Sequence, residues 1–282
     1  MTKLEILTNR NYLSYSSMTS WLECGQRFEL ERVLGAPQDL AWWFIGGNAV
    51  HTATEMLDKG EVLSPELAWN EAWREATNYL GADESAIRAG GRKSNEWPNK
   101  EDRSWWEHHG PLFTQSWFDW MAHKRASGWS LLQVPIAGDP AAVEVAFTMT
   151  LSDEVIVKGY VDRVMVDPNG QVVVVDLKTG SRPPKSSLQL AVYALGIAQT
   201  LDITPTLGGY WMARKADIDM LHTLTHLDEA LVGSWFAKAK HGIESEIFIP
   251  RVTELCTSCT VAKYCPAVGG DKDLLTRVST TS

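Results

Sequence analysis

The sequence has no uninterrupted run of about 18 uncharged apolar residues, the length that a membrane-crossing helix requires. Its start, MTKLEILTNRNYLSYSS, carries neither a basic cap nor a long apolar stretch, so no secretory leader is expected and the protein reads as cytoplasmic. Positive charge is in deficit: 26 Lys and Arg face 35 Asp and Glu, a formal net charge of -9. That balance argues against nonspecific coating of nucleic acid, which needs phosphate-binding cations. It leaves room for a local basic groove, because carboxylates grouped around a divalent cation make the formal count more negative than the local field. Cysteine is scarce, with only Cys24, Cys256, Cys259 and Cys265. Two disulfides are conceivable on count, but a cytoplasmic chain keeps thiols reduced and makes metal ligation more attractive. No internal repeat or low-complexity tract appears. What is present is enough apolar sequence, 44% of 282 residues, to bury a sizeable core in one large or two small domains.

The apolar periodicity divides the chain in order. Over residues 16–34, capping residues precede Met18, Trp21, Leu22, Phe28 and Leu30 at helical spacing, interrupted at Cys24 and Gly25, which predicts a helix or helix pair displaying Cys24. Gly46 and Gly47 open a second helix on which His51 and Glu55 share a face; taken alone, such a pair is more often a solvated helix face than a ligand pair. Residues 64–80 and 104–125 read as further helices, the second dense in Trp105, Trp106, Trp117, Phe118 and Trp120, most of them expected in the core. Between them, residues 81–103 form a polar, Gly-containing segment, either an insertion or a loop able to hold a single strand. From Ala142 the apolar period becomes two and a sheet begins, followed by helix 186–200, strand 206–213 and helix 227–242.

The most concentrated chemistry lies between Val157 and Tyr193. Asp167-Pro168-Asn169-Gly170 is a turn sequence between two β-branched runs and predicts a hairpin. Its second arm, Val172 to Val175, is apolar without alternation, as in a central strand covered on both faces, and it ends in Asp176-Leu177-Lys178-Thr179-Gly180. Strand alternation puts Asp176 and Lys178 on one face. Asp162, on the first arm, can pair across the turn to lie beside Asp176. Two carboxylates, an ammonium and a carbonyl in one place suit a hard divalent cation such as Mg²⁺. Taken alone, Asp-x-Lys is equally an exposed ion pair.

In combination these residues resemble the PD-(D/E)XK nucleases, specifically the RecB-like branch. The motifs occur in order: the Gly-rich helix start with His51, Gly159-Tyr160-Val161-Asp162-Arg163, Asp176-Leu177-Lys178, and Gln189-Leu190-Ala191-Val192-Tyr193. The resemblance implies an α/β fold: a restriction-endonuclease-like mixed sheet flanked by helices. It implies an N-terminal helical part over 1–140, a nuclease core over 141–245 and a cysteine-rich tail over 246–282 that packs on the N-terminal helices. It further implies Mg²⁺ or Mn²⁺ held by His51, Asp162, Asp176 and the Leu177 carbonyl. Lys178 would orient or activate water, and Gln189 and Tyr193 would contact the substrate or support Lys178. Glu55 and Glu144 are candidate additional ligands or supporting groups. Arg163, Arg182 and Lys185 are candidate DNA contacts, alongside Lys158 and Arg214, although ordinary surface charge explains each as well.

The cysteines are similar to those of the iron-sulfur variant of this branch, found in the AddB nuclease and the nuclease of CRISPR adaptation. There four thiolates hold a 4Fe-4S cluster that fastens the tail to the N-terminal helices. Spacing alone also permits tetrahedral zinc or free thiols. The implied activity is metal-dependent hydrolysis of DNA, as an exonuclease on single strands or ends. The absence of a Walker motif makes this a stand-alone nuclease, as in phage recombination or replication, or the partner of a helicase, recombinase or integrase. The alternative is a non-catalytic iron-sulfur protein that binds DNA ends.

Overall fold

In the computed structural model, which describes residues 1–81, 84–136 and 139–275, the expected hairpin closes on Asp167. Residues 82–83 of the polar segment, 137–138 of the N-terminal part and 276–282 of the tail lie outside the described residues. Asp167 Oδ1 accepts from the amides of Asn169 and Gln171, both at 2.8 Å, and Gly170 takes the positive φ of 81° that the turn requires. The hairpin strands are β5 (Val155–Val166) and β6 (Val172–Lys178), antiparallel with Arg163 opposite Val175.

The remaining strands are β1 (Ser130–Leu131), β2 (Gln133–Ile136), β3 (Asp139–Ala141), β4 (Val143–Leu151), β7 (Leu207–Met212) and β8 (Asp217–Thr223). A mixed sheet runs β1-β5-β6-β7-β8, with β4 also paired to β5, while β2 and β3 pair separately. β6 lies parallel to β7, and its residues from Val173 to Leu177 are all buried, which is why they show no alternation. β8 was not evident in the sequence, since Asp217-Ile218-Asp219 is polar and the strand is an exposed edge.

The helices are α1 (Lys3–Thr8), α2 (Tyr15–Glu23), α3 (Gly25–Phe28), α4 (Trp42–Lys59), α5 (Pro65–Thr77), α6 (Arg103–Ala126), α7 (Leu188–Leu201) and α8 (Glu229–Glu244). Caps explain several starts. Ser64 accepts from the Leu67 amide ahead of Pro65, Asp102 from Trp105, and Asp228 from Leu231. A capping box of Ser14 and Ser17 starts α2, which ends at Cys24, whose extended backbone separates it from α3.

By packing, the chain forms two units. One comprises Met1–Asp39, Thr148–Gly159 and the chain from Asp228; the other comprises Leu40–Phe147 and Tyr160–Leu227. In the first, the tail lies on the N-terminal helices. Phe28 stacks on Phe248 at 6.1 Å, Trp21 Nε1 donates to the Ile247 carbonyl at 3.0 Å, and Thr260 Oγ1 donates to Glu31 at 2.8 Å. Leu30, Ala36, Val261 and Tyr264 form a small cluster there against Cys259 and Cys265, apart from buried side chains such as Leu13, Met18, Val157, Phe236 and Ile243.

The second unit is built on tryptophan. Trp105, Trp106, Trp117 and Trp120 from α6 pack with Trp42, Trp69, Trp73 and Trp211 around the inner face of β6. Each ring buries a large apolar area, and the interior leaves little tolerance for added volume. A Cβ on Gly46 would lie 2.0 Å from the Trp106 ring, which is why α4 carries a small residue where it crosses α6. Gly46→Ala is therefore expected to lower stability by about 1–3 kcal/mol. Denaturant unfolding checks this, with Gly60→Ala as a contrast in which strain arises from a φ of 73° and not from crowding.

Candidate functional site

Three elements of the second unit deliver polar side chains to one place. β5 supplies Asp162, the end of β6 supplies Asp176 and Lys178, and α4 supplies His51. Asp162 Oδ2 accepts from the Leu177 amide at 2.8 Å and lies 3.5 Å from His51 Nδ1. The Leu177 backbone also lies near His51 and favours its protonated form, against the effect of burial. Lys178 Nζ lies 2.6 Å from Asp176 Oδ2, an oxygen that is buried and has no aligned hydrogen-bond donor. Gly47 clears the approach: a Cβ there would stand 3.2 Å from Thr179 Oγ1, just beyond Lys178.

Glu144, on β4, joins this group. Among the described residues, ligand atoms of His51, Glu144 and Asp162 lie within 4.8 Å of one another and can hold a metal ion. Glu144 sits at a φ of 50°, in the left-handed region that costs a non-glycine residue conformational energy. Glu55 is ion-paired to Lys59 at 2.8 Å on the same helix.

The electrostatics follow from burial. Asp176 is pushed up to about 6, by burial and by the charge of Asp162, against the pull of Lys178. Glu144 rises to about 7, by burial first and then Asp162. Asp162 is raised by burial, opposed by the Leu177 amide, Lys178 and Arg163. His51 falls to about 4 through burial, which keeps its ring neutral and its nitrogen lone pair available. Three crowded carboxylates whose ionised forms burial disfavours, together with a neutral imidazole, form a donor set that fits a hard divalent cation.

On α7, Gln189 Nε2 donates to Tyr193 Oη at 2.9 Å. Burial and the charges of Asp176 and Asp162 raise the Tyr193 pKa, so the phenol stays protonated beside the carboxylates. Arg182 and Lys185 are exposed on the loop after β6. Arg214 donates to the Thr179 carbonyl and to Glu101, both at 2.9 Å.

One sequence expectation needs correction. Arg163 is fully buried and cannot meet a nucleic-acid strand. Its guanidinium turns into the core, where Asp58 Oδ2 accepts from Nε at 2.7 Å and Trp117 lies across it. Asp58 had escaped notice, although it continues the helical face of His51 and Glu55. The cysteines are all half-buried and unpaired, and they form no compact group of sulfurs within 4.8 Å among the described residues. Arg251 links two of them: its amide donates to Cys24 Sγ at 3.4 Å, and its carbonyl lies 3.8 Å from Cys256 Sγ.

Residues 12–266 match the PD-(D/E)XK nuclease superfamily. The chain belongs to that superfamily. Gene 69 protein of Mycobacterium phage L5 is 27% identical over 288 residues, covering 90% of this chain and 95% of the phage protein. The crystal structure of a protein of Eubacterium rectale provisionally named an exonuclease shares the fold with a TM-score of 0.50 at 14% identity, over 89% of this chain and 88% of that one. In this PD-(D/E)XK nuclease, no helix among the described residues is long and apolar enough to cross a membrane.

If the carboxylates bind metal, Asp176→Asn should weaken Mn²⁺ binding to the PD-(D/E)XK nuclease at least about 10–100-fold, the loss usual even for groups that only support a ligand. Titration with Mn²⁺ followed by electron paramagnetic resonance checks it, and unchanged affinity would remove Asp176 from the ligand set.

Proposed function

We propose that this nuclease hydrolyses phosphodiester bonds of DNA with Mg²⁺ or Mn²⁺, acting as an exonuclease on single strands or ends. The observation that carries the reading is the convergence of Asp162, Asp176 and Lys178 with His51 at the end of β6. His51, Asp162, Asp176 and the Leu177 carbonyl would hold the cation, with Glu144 within reach of the same place. A bound divalent cation supplies charge neutralisation at phosphate and lowers the pKa of water. Lys178, partly exposed at the strand end, orients the attacking water and offsets negative charge developing on the phosphate oxygens. Tyr193 stays protonated as a donor, and its bond from Gln189 fixes the phenol beside Asp162 and Asp176. Arg182 and Lys185 lie exposed on the following loop and suit backbone phosphates. Phe44 and Tyr160 are exposed aromatics on the His51 face of α4 and two residues before Asp162, positions suited to stacking unpaired bases. Recombination, replication or CRISPR adaptation, with a helicase, recombinase or integrase partner, would use such an activity.

The second part of the proposal is a 4Fe-4S cluster on Cys24, Cys256, Cys259 and Cys265, where the tail from residue 246 meets the N-terminal helices. Amides donate to Cys24 and Cys256, from Arg251 and Thr253, both at 3.4 Å, as suits thiolates on a cluster. Tetrahedral zinc at about 2.3 Å from each sulfur draws four thiolates to about 3.8 Å of one another. Four thiolates suit either group, and the resemblance to the iron-sulfur variant of this branch is what favours the cluster.

With end-labelled single-stranded DNA and Mg²⁺ or Mn²⁺, anaerobically prepared protein should cleave, while Asp176→Ala and Lys178→Ala should lose at least about 100-fold in rate, the scale of one electrostatic group in the transition state. Equal cleavage by the variants contradicts the assigned roles, and binding of ends without cleavage by the wild type favours a non-catalytic end-binding protein. The same preparation should be brown with broad visible absorption; a colourless sample with stoichiometric zinc and no iron overturns the cluster.

A further inference from the structure

Arg163 stands next to a candidate ligand on β5, yet its side chain is buried away from solvent and turns into the core. A guanidinium carries five N–H donors in a rigid plane and keeps its charge when buried. Here Nε donates to Asp58 Oδ2 at 2.7 Å, Nη1 to the Asp162 carbonyl at 2.7 Å, and Nη2 to Thr54 Oγ1 at 3.2 Å. Nη1 also lies 3.4 Å from Glu144 Oε1. Trp117 covers the group at 5.4 Å and donates its own Nε1 to the same Asp58 oxygen at 2.8 Å.

The partners come from three elements, and each element carries a candidate metal ligand. Thr54 and Asp58 lie about one and two turns beyond His51 on α4. Glu144 is on β4, and the Asp162 carbonyl belongs to the residue whose carboxylate faces His51. One planar cation thus references the helix and both strands to a single point. A buried ion pair is a poor source of stability compared with well-packed apolar side chains, so stability alone gives little reason for one here. Directional bonds to a helix, a strand carbonyl and a second carboxylate are something that apolar packing cannot provide.

We propose that Arg163, anchored by Asp58, is a positioning residue that sets the spacing of His51, Glu144 and Asp162 and thereby the metal affinity of the site. It touches neither cation nor substrate. The proposal rests on reading this site as a metal site, and the test separates the two.

Mn²⁺ binding to the full chain is measured by electron paramagnetic resonance, without substrate, for wild type, Arg163→Lys, Asp58→Asn and Thr54→Val, with thermal unfolding of each metal-free protein recorded alongside. Arg163→Lys keeps the charge but loses the planar fork, and Asp58→Asn keeps the shape but loses the anchor. Both should weaken Mn²⁺ binding about 10–100-fold, the usual cost of removing a group that orients a ligand. Thr54→Val, which removes one bond, should weaken it less, by about 3–10-fold on the same scale. Saturating Mn²⁺ should return kcat of Arg163→Lys to within a few-fold of wild type, with the midpoint of metal activation raised in step with the binding loss. Folded variants that bind Mn²⁺ as tightly as wild type overturn the proposal. If Arg163→Lys and Asp58→Asn do not fold, Thr54→Val decides, and unchanged affinity there overturns it. A wild type that binds no Mn²⁺ at all would instead remove the metal-site reading on which the proposal depends.

Discussion

Beneath the candidate site, the Arg163 guanidinium is sealed from water against Asp58 and Trp117. Taking two charges out of water is costly, and the geometry recovers the cost only when the remaining donors are used. Here they are used on Thr54, the Asp162 carbonyl and Glu144. The pair thereby fixes α4 against β5 at the level of His51 and Asp162. Above it, burial and mutual repulsion raise Asp162, Asp176 and Glu144 together, disfavouring their ionised forms, and Lys178 and Arg163 only partly offset this. A core that holds carboxylates in this state is prepared for a cation.

The tryptophan core explains why this arrangement can be rigid. α6 lays Trp106 and Trp117 against α4, and the glycines of α4 let that helix come close both to Trp106 and to Thr179 at the strand end. The helix bearing His51 is therefore held on two sides by contacts that leave little room for movement. In the other unit, the tail lies on α3 through the Phe28–Phe248 stack and brings Cys256, Cys259 and Cys265 into the unit that contains Cys24. The tail itself adds only Val261 and Tyr264 to a small cluster with Leu30 and Ala36 beside Cys259 and Cys265.

Much of this was legible in the sequence because it depends on local rules. The Pro-Asn-Gly turn, the unalternating Val172–Val175 run and the capped helix starts each fix a short segment, and the hairpin follows from them. Asp162, Asp176 and Lys178 were legible as a group because strand alternation and a single turn bring them together, whereas His51 was joined to them only by the resemblance to the PD-(D/E)XK nucleases. Arg163 was misread because sequence shows only that a cation follows Asp162, while the partner that buries it, Asp58, is 105 positions away in the chain. Glu144 could not be ranked against Glu55 as an additional ligand or supporting group, since nothing local signals that β4 brings it within reach of His51. β8 went unseen because an exposed edge strand has no apolar face to betray it.

A divalent cation seated between β5, β6 and α4 is the centre of the proposed activity. The most direct measurement is anomalous diffraction from crystals of the full chain soaked in Mn²⁺. The proposed site requires a peak ligated by Asp162, Asp176, a His51 nitrogen and the Leu177 carbonyl. A soaked crystal with Mn²⁺ bound only elsewhere, or with these carboxylates turned away from one another and no peak between them, would contradict it.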